Sequence, residues 1–175
     1  MMLNKFAAAI SLSVLMAGAH AGSQGGGTVT FQGAIVDAPC SVLPGSADQT
    51  VQFGSVSSSK LIAGGESAKQ NFSIGLEGCD ISTKNSVEVT FTGLADTNVP
   101  ALIALQNGTA KGAGIGMVDA TGKAVVLGVA SSLYALTSGG NQLQFNAFLK
   151  GTGATAADVI PGDFSSMVQF SLNYK

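Results

Sequence analysis

Residues 166–175 read S-M-V-Q-F-S-L-N-Y-K, so an extended backbone puts Val168, Phe170, Leu172 and Tyr174 on one face and Met167, Gln169, Ser171 and Asn173 on the other. Residues 27–36, G-T-V-T-F-Q-G-A-I-V, alternate the same way: Val29, Phe31, Gly33 and Ile35 lie opposite Thr28, Thr30, Gln32 and Ala34. The pattern predicts a strand over residues 28–37 and another over 167–174. Terminal strands of this kind pair between molecules as readily as within one. Between them lie shorter β candidates at residues 50–53, 70–76, 87–92, 101–105, 114–118, 124–127 and 142–149. Turn-forming residues separate them, among them Asn107-Gly108, Thr121-Gly122 and Gly139-Gly140-Asn141. Helix is expected only as a short intrusion around residues 131–134. Many short strands with no long amphipathic helix predict an all-β sandwich, and no repeat of solenoid period interrupts the pattern.

The first 21 residues carry the pattern of a secretory leader: Lys5, an apolar run over residues 6–18, and the small-x-small site Ala19-His20-Ala21. The competing reading is a membrane anchor, but the run is shorter than the roughly 20 residues a bilayer span requires. Cleavage leaves 154 of the 175 residues: a Gly/Ser-rich stretch opening at Gly22, then one domain's worth of chain. The expected boundaries are a signal at residues 1–21, an extension at 22–36 and a domain at 37–175. His20, the only histidine, departs with the leader. Without Lys5, seven lysines face ten acids, a net charge of about −3, and there is no arginine or tryptophan. Scattered lysines argue against a nucleic-acid partner, which requires clustered cations. Nothing after the leader is long and apolar enough to span a membrane.

Cys40 and Cys79, the only cysteines, are expected to pair in an exported chain that meets an oxidising compartment. Metal ligation or a reactive thiol finds no support, because no histidine completes a zinc site and no C-x-x-C spacing occurs. Gly151-Thr152-Gly153-Ala154-Thr155-Ala156 satisfies a dinucleotide fingerprint on paper, yet no helix or βαβ alternation follows, so a loop is expected. Ser57-Ser58-Ser59-Lys60 has S-x-x-K spacing without its companion motifs and reads as a serine-rich loop. Asn71-Phe72-Ser73 and Asn107-Gly108-Thr109 match the glycosylation pattern, the second more simply as a hairpin turn. Asp96 and Asp119 are expected to be solvated turn residues rather than an acid–base pair. No catalytic residue, metal site or cofactor is expected, and the chain does not read as an enzyme.

Taken together, these segments resemble the pilins of the chaperone-usher family, the subunits of type 1 and P pili. The resemblance is carried by G-T-V-T-F-Q-G-A-I-V-D-A-P-C over residues 27–40, by Cys79, by G-I-G-M-V-D-A-T-G over residues 114–122 and by the ending P-G-D-F-S-S-M-V-Q-F-S-L-N-Y-K. Gly162, fourteenth from the C-terminus, and the penultimate Tyr174 occupy positions this family favours. The resemblance implies an incomplete immunoglobulin-like sandwich that lacks its last strand and is completed by a donor strand. It assigns Val29, Phe31, Gly33 and Ile35 to the donor face. It assigns Gly162, Val168, Phe170, Leu172, Tyr174 and Lys175 to the groove edge met by a periplasmic chaperone. The implied partners are further copies of the chain and fellow pilins, that chaperone and an outer-membrane usher, and the implied destination is a surface fimbrium reached through the periplasm. A major shaft subunit supporting cell adhesion is the function expected. A minor or adaptor subunit and a secreted monomeric carbohydrate-binding sandwich are the alternatives. Without the resemblance, alternating apolar residues at a C-terminus read simply as a core strand.

Overall fold

A computed structural model describes residues 26–35 and 37–175; the expected leader and Val36 lie outside the described residues. Contacts divide the chain between Ile35 and Val36 into two units. In the first, residues 26–35 form no helix or strand, and Val29, Phe31 and Ile35 are exposed. A strand exists only by pairing, so the alternation there is a strand without a ladder.

The second unit is two antiparallel sheets. Its strands are β1 Ser41–Val42, β2 Gln70–Cys79, β3 Ser86–Gly93, β4 Ile103–Ala104, β5 Ala113–Asp119, β6 Ala124–Val125, β7 Tyr134–Ala135, β8 Gly139–Gly151 and β9 Val168–Tyr174. The larger sheet runs β1-β2-β8-β5-β4, with β6 also on β5; the smaller runs β7-β3-β9. Register follows the alternation: Phe72 opposes Phe145 and Ile74 opposes Leu143 in one sheet, Phe91 opposes Phe170 and Val89 opposes Leu172 in the other. The sheets meet where the Phe91 ring stands edge-on to Phe145 at 5.2 Å, with Phe72 stacked on Phe145 at 5.5 Å. Such aromatic pairs add about 0.5–1.5 kcal/mol beyond their buried area. Cys40 and Cys79 are joined, both in this core.

The outer face of β5 is also covered. Gly116 directly opposes Phe148 on β8, and a Cβ at Gly116 would stand 2.6 Å from the ring. Leu102 occupies the space beside Gly114, and the Lys69 ammonium lies 5.8 Å from the Phe148 centroid. The two glycines of G-I-G-M-V-D are therefore seats for side chains on the far face of the sheet.

Several expectations are corrected. Residues 50–53 form no strand because no neighbouring strand lies against them, although Val51 and Phe53 still turn inward. No helix forms at 131–134: Ser131 Oγ accepts the Val89 N–H at 3.0 Å and Ser131 N–H donates to Val89 O, which ties the segment to the sheet edge. Asp119 is buried rather than solvated. Its Oδ1 accepts Thr121 N–H, Thr121 Oγ1–H and Lys123 N–H at 2.6–3.0 Å, closing the turn to β6 from the inside. Burial alone would raise its pKa; the hydroxyls of Ser132 and Thr121 and the N–H groups of Lys123 and Thr121 outweigh burial and hold it at about 2. Asp96 accepts Asn98 and Val99 N–H and caps a separate turn.

Candidate functional site

Among the described residues, strand β9 has a partner on one edge only, β3. Before Val168 the chain leaves that sheet, and residues 160–165 bind residues 106–111 beside the larger sheet. Ser165 N–H donates to Gln106 O at 2.8 Å, Ala110 N–H to Asp163 O at 3.2 Å, and Lys111 and Ile160 exchange both bonds at 3.1 and 3.0 Å. Together these residues make one wall of a groove whose other wall is residues 49–54. Among the described residues, positions 50–56 make no backbone–backbone hydrogen bond. The floor is core: Phe72, Phe91, Ile103, Ile115, Met117 and Ala147.

The groove encloses about 710 Å³. A second compartment of about 320 Å³ continues it past Gly54, Gly162 and Phe164. Between the two, the Phe53 and Phe164 rings reach from opposite walls to 6.0 Å. An apolar floor flanked by one wall without backbone partners, residues 50–54, and by a strand, β9, paired with β3 on one edge is the environment of a missing strand. Left uncovered, such an edge invites pairing with another chain.

The expected groove-edge residues are brought together on β9. Val168, Phe170, Leu172 and Tyr174 form its inward row, each half-buried, while Gln169, Ser171 and Asn173 are exposed. The Tyr174 hydroxyl is buried without a hydrogen-bond partner among the described residues, and burial pushes its pKa up. Lys175 is stitched to β3: its N–H donates to Ser86 O, its O accepts Asn85 N–H, and its Nζ pairs with Glu88 at 3.2 Å. Gly162 has a local reason to be glycine, since a Cβ would collide with Thr109 Oγ1 and Ala110 N. Close packing of the wall requires its absence. The wall at 49–54 and the floor residues of β4 and β5 fall on the sequence's β candidates at residues 50–53, 101–105 and 114–118, but the pattern does not mark them as part of a groove.

The class so defined is an incomplete immunoglobulin-like sandwich with an open groove where its last strand would lie. The family model described as Fimbrial protein matches residues 29–175. The chain is 45% identical over 176 residues to the Fimbria A protein of Serratia marcescens and 42% identical over 177 residues to the Major MR/P fimbria protein of Proteus mirabilis, covering 100% of each pair. A subunit in a solved structure of a chaperone-usher pilus, described in terms of rod uncoiling, superposes with a TM-score of 0.77 at 38% identity, over 87% of this chain and 98% of that one. This chain belongs to the fimbrial protein family.

Proposed function

We propose that the chain is the main shaft subunit of a chaperone-usher fimbrium on the bacterial surface, joined to its neighbours by donor-strand exchange. The carrying observation is the groove: an apolar floor between residues 50–54, which have no backbone partner, and the wall that leads into β9, in a chain whose described N-terminal residues alternate apolar and polar without forming a strand. Strand addition to a sheet edge draws affinity from main-chain hydrogen bonds and specificity from alternate side chains, and donor-strand complementation of pilins is an established instance. In this reading Val29, Phe31 and Ile35 enter the groove of a neighbouring copy, with Gly33 passing where a wall stands close. Burying each of the three large side chains contributes about 1.5–3 kcal/mol. Each ladder hydrogen bond adds about 0.5–1.5 kcal/mol net, and ordering the free segment costs part of the sum. The names of the relatives support a major rather than an accessory role.

The same reading gives the empty groove a temporary occupant before assembly: a strand of a periplasmic chaperone lying along Val168, Phe170, Leu172 and Tyr174, with the C-terminal carboxylate of Lys175 held by it. An outer-membrane usher then exchanges that strand for the next subunit's extension. The test is a pair of adjacent substitutions. Phe31→Asp drives a charge against an apolar floor and abolishes surface fibres while leaving chaperone-bound subunit in the periplasm. Thr30→Asp faces the other way and leaves fibre yield near normal. Equal effects at the two positions, read by electron microscopy and shear release, contradict the assignment of the donor face.

A further inference from the structure

We infer that the Ser166 hydroxyl is the latch that holds the groove wall in position for an incoming strand; this rests on the reading that the groove takes one. The wall has two halves with different attachments. From Val168 onward it belongs to the smaller sheet, Val168 opposite Gly93 being the first β9 pair. Up to Ser165 it is bonded to residues 106–111. Residues 166 and 167 lie at the crossing and belong to neither ladder.

A chain that changes sheets leaves backbone groups without their usual partners at the corner, and those groups must be satisfied another way. Here they are Ala104 O and Gln106 N–H. Ser166 Oγ serves both: it donates to Ala104 O at 2.8 Å and accepts Gln106 N–H at 3.2 Å. One hydroxyl, donor and acceptor at once, stands in for a missing peptide group. The other side-chain ties of this wall, Thr109 to Asp163 at 3.3 Å and Asn107 to Ser165 at 3.2 Å, are exposed and compete with water. The Ser166 bonds are half-buried. Ser165, Ser166 and Met167 line the larger compartment, so the corner lies where a strand docks. With the hydroxyl gone, the wall is free to lean, and its edge no longer presents its backbone groups in one fixed row.

Ser131 supplies the control. It is buried and its hydroxyl also both accepts and donates, taking Val89 N–H at 3.0 Å and giving to the adjacent Ser132 O at 2.9 Å, but it sits on the opposite edge of β3. A labelled peptide of residues 27–37 is bound to the mature chain and chased with unlabelled peptide, for wild type, Ser166→Ala, Ser166→Thr and Ser131→Ala. Ser166→Ala is expected to release the peptide about tenfold faster, the effect of one lost half-buried hydrogen-bonding group, and to speed hydrogen exchange at the Gln106 amide. Ser166→Thr restores slow release. Ser131→Ala lowers the melting temperature and leaves release within about twofold of wild type. Unchanged release from Ser166→Ala, or equally fast release from Ser131→Ala, overturns the latch. Failure of the peptide to bind the wild-type chain at all overturns the strand reading, and the latch with it.

Discussion

Replacing Gly116 by alanine tests whether the outer face of the larger sheet is packed as tightly as its core. In a strand, alanine is ordinarily preferred to glycine by about 0.5–1 kcal/mol, because glycine loses more freedom on folding. At position 116 the new Cβ meets Phe148 Cζ at 2.6 Å and Cε2 at 2.7 Å. Normal contact begins near 3.5 Å, so the ring must retreat by about 1 Å. Phe148 is only 8% exposed and bears the Lys69 contact, so there is little free space to retreat into. Overpacking of this kind costs about 1–3 kcal/mol, which exceeds the propensity gain. With a urea m-value of about 1–3 kcal/mol/M, the unfolding midpoint should fall by on the order of 1 M. Gly140, on the same sheet, has only Leu76 O at 3.9 Å near its Cβ position, so Gly140→Ala should be neutral or slightly stabilising. Phe148→Leu, added to Gly116→Ala, should recover part of the loss, a coupling visible in a double-mutant cycle. Equal effects of Gly116→Ala and Gly140→Ala, or strict additivity with Phe148→Leu, would refute the argument.

Two further outcomes are expected. Cys40→Ser or Cys79→Ser should destabilise the domain by about 2–5 kcal/mol and lower subunit levels and fibre yield; thiol labelling of denatured, unreduced native protein should find no free cysteine. The Asp119 carboxylate has its pKa lowered from 3.8 to about 2 on folding, so its stabilising contribution is complete above the unfolded value and disappears as pH falls through the folded one. Asp119→Asn should therefore flatten the loss of melting temperature between pH 4 and 2, and an unchanged acid profile would count against the buried carboxylate.

The long strands were legible because each has one face in the core. Residues 70–76, 87–92, 114–118, 142–149 and 167–174 alternate or run apolar, and the structure turns Ile74, Val89, Ile115, Phe145 and Phe170 inward as the pattern requires. Alternation reports burial, however, and not partnership. Val51 and Phe53 alternate as convincingly as a strand and have none beside them, since the position next to them is the vacant groove. The two-residue strands β1 and β7 escaped notice because pairing alone defines them: Ser41 and Val42 follow Glu77 and Leu76 on β2, and Tyr134 and Ala135 follow Val87 and Ser86 on β3. At Asp119 the turn D-A-T-G was readable, with Gly122 at φ +86°, but not that its acid faces inward. That depends on what packs over the turn, which the local sequence does not state. The wall formed by residues 160–166 was invisible because its partners, residues 104–111, lie 49 to 62 positions earlier and carry no periodic signal. Gly162 stood out only through the family resemblance, and its contact with Thr109 supplies the cause.

The disulfide bears on mechanics. In a fibre joined through N-terminal extensions, tension enters each domain just before Cys40. The bond to Cys79 carries that force straight to the end of β2, across a sequence separation of 39. A stretch of that length drawn out straight would add about 130 Å of slack per subunit. With the loop covalently closed, even a domain whose N-terminal segments peel away cannot release that slack.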